Sequence, residues 1–144
     1  MDLRLNGQSV LVTGSGSGIG KGISEMFLEE GAKVILTDLN NDVVQKTYLE
    51  FTNKYGQHNL LKFHGDLSDS GIVESLKDLT KKKYGRLDHL VCNIGSGKSV
   101  PLLQEDTREF QRMLDINLLN AVGVVNQLLS LLKIKSDNEF ISTS

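Results

Sequence analysis

Short apolar runs alternate with longer amphipathic stretches along all 144 residues of the chain. Each run has the length of a strand, and several are rich in Val, Ile or Leu with polar residues only at their ends. That pattern is typical of strands covered on both faces. The runs cover residues 9–13, 33–38, 60–64, 87–92 and 139–143.

Amphipathic patterns with helical spacing separate these runs, over residues 19–30, 43–55, 70–84 and 106–132. Gly31 and Gly85 follow two of these helices at the position that favours a C-terminal glycine. Strands that alternate with helices predict βαβ units, so we expect an α/β fold with a doubly wound parallel sheet of about five strands. The chain has one proline and no internal repeat, which predicts a single domain over residues 1–144.

Composition and charge exclude several classes of protein. Sixteen basic and eighteen acidic residues give a net charge of −2, which argues against a dedicated nucleic-acid-binding protein. The single cysteine, Cys92, cannot form an internal disulfide, and we expect it to be a small buried core residue. His58, His64 and His89 have no metal-ligand spacing, so no metal site is predicted.

The helix predicted over residues 106–132 is apolar almost all round in its second half. A helix of this kind needs burial on more than its sheet side, so a second copy of the chain or further sequence should cover the other face. The residues concerned are Leu118, Leu119, Val122, Val125, Leu129 and Leu132. Polar residues interrupt this stretch, and residues 1–5 carry charges where a signal peptide is apolar. We therefore expect a cytoplasmic protein that does not bind membranes and forms a homo-oligomer.

A glycine-rich turn, Thr-Gly-Ser-Gly-Ser-Gly-Ile-Gly over residues 13–20, follows the first strand and opens the first helix. Glycines let the backbone approach a pyrophosphate, and a helix N-terminus offers free N–H groups and a positive dipole end. The turn therefore predicts phosphate binding, the alternative being a merely flexible turn. The strict dinucleotide fingerprint needs glycine at position 19, where this chain has Ile19; Gly14, Gly18 and Gly20 instead fit Thr-Gly-x-x-x-Gly-x-Gly.

An acidic residue, Asp38, ends the second strand roughly 20 residues beyond the turn, where a carboxylate can accept hydrogen bonds from ribose hydroxyls. The same carboxylate would repel a 2′-phosphate. Positions 15, 39 and 40 carry no Arg or Lys to offset that repulsion. These residues favour NAD over NADP.

With this spacing and Asp38, the chain resembles the classical short-chain dehydrogenase/reductase family from residue 5 to residue 144. The resemblance implies a Rossmann-type fold and hydride transfer between a nicotinamide cofactor and an alcohol or carbonyl substrate. It implies cofactor contacts at Gly14, Ser15, Gly16, Ser17, Gly18, Ile19, Gly20, Asp38, Leu39, Asp66, Leu67, Asn93, Ile94 and Gly95, and catalytic roles for Asn117 and Ser144. Cys92 and Ile94 depart from the Asn-Asn-Ala-Gly that this family has after its fourth strand.

The family's catalytic tyrosine, followed four residues later by a lysine, has no counterpart in this sequence. In the family that pair follows the serine, so we expect the chain to be the cofactor-binding part of a dehydrogenase, truncated after the fifth strand and inactive alone. The alternative is a non-catalytic nucleotide-binding or interaction module that ends naturally near residue 144. A P-loop at residues 95–99 is disfavoured, because Cys92 occupies the position of its first glycine.

Overall fold

Four strands form one parallel sheet in the computed structural model, which describes residues 3–97 and 106–132. They are β1 (Ser9–Val12), β2 (Lys33–Asp38), β3 (Leu60–His64) and β4 (His89–Val91). Their order is β3–β2–β1–β4, and in the middle of the sheet Leu11 lies opposite Ile35 on one side and Leu90 on the other. This is the Rossmann-type arrangement that the sequence predicts.

Helices connect the strands: α1 (Gly18–Glu29), α2 (Asn41–Tyr55) and α3 (Ser70–Tyr84). After β4 come α4 (Thr107–Leu114), a π-helical segment (Asp115–Leu119) and α5 (Asn120–Leu132). The last three are continuous, and we refer to them together as the long helix (Thr107–Leu132). The single helix predicted over residues 106–132 is confirmed, with a widened turn in its middle that the sequence pattern does not indicate.

The two faces of the sheet bury separate apolar clusters, because successive strand residues point to opposite sides. On one face Val10, Val34 and Leu36 pack with residues of α1 and α2, including Leu28 and Phe51. The opposite face packs against α3 and the long helix through a second cluster, Leu11, Ile35, Val73, Leu76, Val124 and Leu128. Helices therefore cover both faces, as the uninterrupted apolar runs predict.

The helix N-termini differ in how they are capped. Asn40, Asp69 and Asp106 each accept hydrogen bonds from backbone N–H groups in the first turn of α2, α3 and α4. Ser17 precedes α1 in an extended conformation, but its side chain makes no capping hydrogen bond, and the first turn of α1 contains no acidic residue. The N-terminus of α1 thus lacks the side-chain acceptor that the other three helices have.

One prediction about burial is wrong: Cys92 is exposed and is not a core residue. It follows β4, which within the described residues has a neighbouring strand only on its β1 side. The residues of β4 itself are only half-buried for the same reason. The predicted fifth strand over residues 139–143 lies outside the described residues.

The long helix is apolar on its solvent side as well as on its sheet side. Val124, Leu128 and Leu131 are buried, whereas the outer side exposes Phe110, Leu114, Leu118, Leu119, Val122, Val125 and Leu129. By length and composition it is the one helix in the described residues that could cross a membrane. A core helix can have the same length and composition as a membrane-spanning one, and this helix contributes to the apolar cluster that it forms with α3 and one face of the sheet.

Candidate functional site

A cavity of about 500 Å³ opens at the carboxyl ends of all four strands. Its volume is within the range of small-molecule and cofactor sites, and its position is where open α/β sheets bind ligands. Each strand contributes the residues at or just after its end, and the middle of the long helix closes one side. The lining consists of Gly14, Thr37, Asp38, Leu39, Gly65, Asp66, Leu67, Ser68, Asn93, Ile94, Gly95, Ser96, Asp115, Ile116 and Asn120.

The glycine-rich turn passes close to its own backbone at Gly20. A Cβ atom at that position would lie 2.3 Å from the carbonyl oxygen of Gly14 and 2.6 Å from Nδ2 of Asn93. The Asn93 amide donates a hydrogen bond of 3.1 Å to the same Gly14 carbonyl. The turn and the segment after β4 are therefore packed together with no space for a side chain between them.

Thr13, at the end of the first predicted strand, connects the same two segments through its hydroxyl. Its Oγ1 accepts hydrogen bonds from the backbone N–H of Asn93 at 2.9 Å and of Ile94 at 3.2 Å. The Thr13 side chain is buried, so these bonds form away from water. They hold the loop that follows β4 against the start of the glycine turn.

The carboxylate of Asp38 is oriented by two backbone donors. Its Oδ2 accepts a hydrogen bond of 3.2 Å from the N–H of Gly16, and its Oδ1 accepts one of 3.0 Å from the N–H of Asn40. A Cβ atom on Gly16 would lie 2.6 Å from Asp38 Oδ2 and 2.8 Å from Val43 Cγ1. Any side chain at position 16 would therefore displace the carboxylate.

Asp66 lies at the cavity after β3 and forms a local turn with Ser68. Oδ1 of Asp66 accepts a hydrogen bond of 2.6 Å from the Ser68 hydroxyl and one of 2.9 Å from its backbone N–H. These donors, the hydroxyl first, lower the pKa of Asp66 against a smaller opposing effect of burial. The group is a carboxylate at neutral pH.

Asn117 connects the π-helical segment to the loop after β4. Its Oδ1 accepts a hydrogen bond of 3.0 Å from the N–H of Ser96, and its Nδ2 donates one of 2.8 Å to the Ser96 carbonyl. The same Nδ2 donates to the carbonyl of Met113 at 2.9 Å. The side chain therefore fixes both the loop and the widened helical turn, and its partners are backbone groups.

The structure brings together eight of the predicted site residues around the cavity: Gly14, Asp38, Leu39, Asp66, Leu67, Asn93, Ile94 and Gly95. Ser15 is buried, and its hydroxyl accepts a hydrogen bond from the N–H of Thr37. Ile19, at the opposite extreme, is 77% exposed at the start of α1. Ser144 lies outside the described residues.

Sequence reasoning missed seven of the lining residues: Thr37, Gly65, Ser68, Ser96, Asp115, Ile116 and Asn120. Five of them adjoin predicted residues: four lie at strand ends, which meet at one edge of the sheet, and Ile116 is next to Asn117. Asp115 and Asn120 carry no local signal, because the crossing of the long helix over the strand ends is a tertiary feature.

No tyrosine of the described residues lines the cavity. Tyr84, at the end of α3, is half-buried, and this burial raises its pKa to about 12. Lys33, the first residue of β2, lies 5.7 Å from the centroid of its ring, which places Tyr84 at the amino end of the sheet, away from the cavity. Tyr84 is therefore not in position to act as a proton donor at the site.

The sequence model of the short chain dehydrogenase family matches residues 8–144. The chain belongs to the short-chain dehydrogenase/reductase family. Zerumbone synthase from Zingiber zerumbet is 34% identical to the chain over 118 residues. The matched region covers 81% of the chain and 43% of the synthase.

Two solved structures of the family resemble the chain in three dimensions. L-sorbose reductase from Gluconobacter frateurii, in complex with NADPH and L-sorbose, has a TM-score of 0.83 at 26% identity, covering 92% of this chain and 50% of the reductase. The Pseudomonas aeruginosa RhlG/NADP active-site complex has a TM-score of 0.83 at 27% identity, covering 93% and 51%. The chain spans about half the length of these relatives.

Proposed function

We propose that this chain is the dinucleotide-binding part of an oxidoreductase that transfers hydride between a nicotinamide cofactor and an alcohol or carbonyl substrate. The observation that carries the proposal is the uncapped N-terminus of α1, which follows a glycine turn packed too closely for any side chain at Gly20. Free N–H groups and the positive end of the helix dipole favour a phosphate at that position. The alternative of a merely flexible turn does not explain the close packing.

The residues around the cavity fit the two halves of such a cofactor. Asp38 offers carboxylate oxygens to the ribose hydroxyls, while Asp66 and Leu67 lie at the end of β3 where the adenine would be held. Asn93, Ile94 and Gly95 form the wall next to β4, where the family resemblance implies cofactor contacts. When bound, the nicotinamide would accept or donate the hydride, and the protein residues described here would position it.

We propose NAD in preference to NADP, although the two structural relatives described above are complexes with NADPH and NADP. The support is Asp38, whose carboxylate is held at the cavity by the N–H groups of Gly16 and Asn40. A negative charge fixed in this place repels a 2′-phosphate, and positions 15, 39 and 40 carry no cation. Gly16 has no space for a basic side chain beside that carboxylate.

A titration of the pure chain with NADH and with NADPH, followed by cofactor fluorescence, tests the proposal. We expect NADH to bind at least tenfold more tightly, and Asp38→Asn to reduce that ratio towards one. Asp42→Asn is the matched control, because it removes one negative charge from the exposed first turn of α2 and should leave the ratio unchanged. If neither cofactor binds at millimolar concentration, the proposed function is wrong.

The same proposal expects the 144-residue chain to bind the cofactor without turnover, because the sequence contains no Tyr-x-x-x-Lys pair. We also propose a cytoplasmic location and a homo-oligomer formed through the exposed apolar side of the long helix. That surface equally favours a second candidate function, an interaction module in which the glycine turn has lost its ligand. Saturable NADH binding excludes this second candidate.

A further inference from the structure

A buried threonine of α2, Thr47, contacts the glycine turn without lining the cavity. Its Oγ1 donates a hydrogen bond of 2.6 Å to the carbonyl oxygen of Gly16, a residue 31 positions earlier in the chain. Both residues are buried, so the bond forms in a region of low dielectric constant. Thr47 does not line the cavity, and neither the fingerprint of the turn nor the resemblance assigns it a role.

The position of Gly16 determines the position of the Asp38 carboxylate. Gly16 donates its N–H to Asp38 Oδ2 at 3.2 Å, and its Cα faces both that oxygen and Val43 at distances that leave no space for a Cβ. Val43 and Thr47 are one helical turn apart in α2 and therefore face the turn together. A shift of the Gly16 Cα, which joins its carbonyl to its N–H, would change the donor that orients Asp38.

These contacts form a closed ring. Asp38 accepts a hydrogen bond from the N–H of Asn40, whose side chain caps α2. Thr47 of α2 donates a hydrogen bond to the Gly16 carbonyl, and the N–H of Gly16 donates to Asp38, which closes the ring. Of these residues, only Asp38 lines the cavity. The ring thus links a residue of α2 to the group that would contact the adenosine ribose.

We infer that Thr47 is a positioning residue for the adenosine end of the cofactor site, and that it sets the preference between a free ribose 2′-hydroxyl and a 2′-phosphate through Gly16 and Asp38. This inference rests on the proposed function. Loss of the Thr47 hydroxyl removes the hydrogen bond to a buried carbonyl, so Gly16 can shift at the Cα that joins its carbonyl to its N–H, and the N–H then holds Asp38 less well. The carboxylate then contacts the ribose less well and repels a 2′-phosphate less strongly.

The test compares Thr47→Val with wild type in titrations of the full chain with NADH and NADPH. We expect the dissociation constant for NADH to rise about tenfold and that for NADPH to change less than twofold, so that discrimination falls about tenfold. Thr47→Ser keeps the hydroxyl and should restore the wild-type ratio. Should Thr47→Val fail to fold, Thr47→Cys, with a weak donor of similar size, should shift the ratio in the same direction by a smaller factor.

Thr80→Val is the matched control. Thr80 is also buried in a helix, and its Oγ1 donates 2.8 Å to the Leu76 carbonyl in α3, away from the turn. This variant also removes a buried threonine hydroxyl and should leave the NADH to NADPH ratio at the wild-type value. A Thr47→Val protein with an unchanged ratio, or with equal loss of both cofactors, overturns the inference while the proposed function remains. If wild type binds neither cofactor, the proposed function fails and this inference fails with it.

Discussion

At the scale of single residues, the tightest constraint on the site is the hydrogen atom that Gly20 has in place of a side chain. Gly20→Ala would place a Cβ 2.3 Å from the Gly14 carbonyl oxygen, and neither the backbone oxygen nor a Cβ bonded directly to the backbone can turn aside as a flexible side chain can. We expect the dissociation constant for NADH to rise at least tenfold and the free energy of unfolding to fall by about 1–3 kcal/mol. Calorimetric titration and denaturant unfolding measure the two effects.

Gly22→Ala provides the control for that substitution, since Gly22 belongs to the same helix and a Cβ there would meet no atom within 4 Å. Alanine in an exposed helix should stabilise the chain by about 0.5–1 kcal/mol and leave NADH binding unchanged. Equal binding by the two alanine variants would show that the close approach at Gly20 does not matter to the cofactor.

Asp66 gives the site a dependence on pH. Hydrogen bonds from the Ser68 hydroxyl and N–H lower the pKa of Asp66 in the folded chain, so they stabilise the fold above the ordinary carboxyl pKa of about 4. This contribution is lost as the pH falls through the lowered value. We expect Ser68→Ala to raise the pKa of Asp66, observed by NMR of the carboxyl carbon, and to destabilise the chain at pH 7 but not at pH 2.

Ser75→Ala is the control for Ser68→Ala, because the Ser75 hydroxyl donates to the Gly71 carbonyl within α3 and contacts no carboxylate. Its effect on unfolding should be the same at both pH values. An unfolding difference for Ser68→Ala that persists at pH 2 would contradict the assignment of its effect to Asp66.

An individual site residue can be predicted from the sequence where a chemical rule links the residue type to its position. Asp38 follows from its place at the end of a strand beyond a glycine turn, and the structure places it at the cavity. Gly16, by contrast, occupies a variable position of the Thr-Gly-x-x-x-Gly-x-Gly pattern, yet it is packed against Asp38 and Val43. Its requirement for glycine comes from neighbours 22 and 27 positions away in the chain, which a local pattern cannot show.

At the scale of elements, hydrogen bonds from the Asn117 side chain join the long helix to the loop after β4. Asn117→Ala removes both of its hydrogen bonds to Ser96, so the backbone N–H of Ser96 loses its acceptor. We expect amide hydrogen exchange at Ser96 to accelerate about tenfold and NADH binding to weaken, since the loop forms one wall of the cavity.

Gln127→Ala is matched to this variant, because Gln127 also donates a side-chain amide hydrogen bond from the long helix, to the Ser70 carbonyl of α3 at 2.9 Å. It should leave exchange at Ser96 and NADH binding unchanged. Equal exchange rates at Ser96 in both variants would mean that Asn117 does not hold the loop.

Element boundaries follow from the sequence where polar residues or turns delimit an apolar run at both ends. β2 and β3 have the predicted ends, 33–38 and 60–64, because a polar residue or a turn stops each apolar run at both ends. β4 is shorter than the predicted 87–92, because its pairing with β1 begins at His89, opposite Val10, and ends at Val91, opposite Val12. The π-helical turn at Asp115–Leu119 has no counterpart in the 3.6-residue pattern, because it depends on bonds such as that from Asn117 to Met113.

At the scale of the whole molecule, the helical layers on the two faces of the sheet differ in the chemistry of their outer surfaces. On the side of α1 and α2, ion pairs link the helices, as from Lys21 to Glu50 and from Lys54 to Glu25. On the opposite side, the long helix exposes an apolar stripe between Phe110 and Leu129 that is about 28 Å long at the rise of an α-helix. Burial of such a stripe against a second copy would be favourable, which is the basis of the proposed homo-oligomer.

Leu118→Glu tests that oligomer, since Leu118 lies on the stripe and is 53% exposed, so a charge there should not unfold the chain. We expect sedimentation of the wild-type chain to show species larger than 15.9 kDa at high concentration, and the variant to sediment as a monomer. Leu49→Glu is the control, because Leu49 is 52% exposed on α2, away from the stripe, and should leave the oligomer intact. Wild-type protein that sediments only at 15.9 kDa would refute self-association. If both variants dissociate the oligomer, its interface includes surfaces other than the long helix.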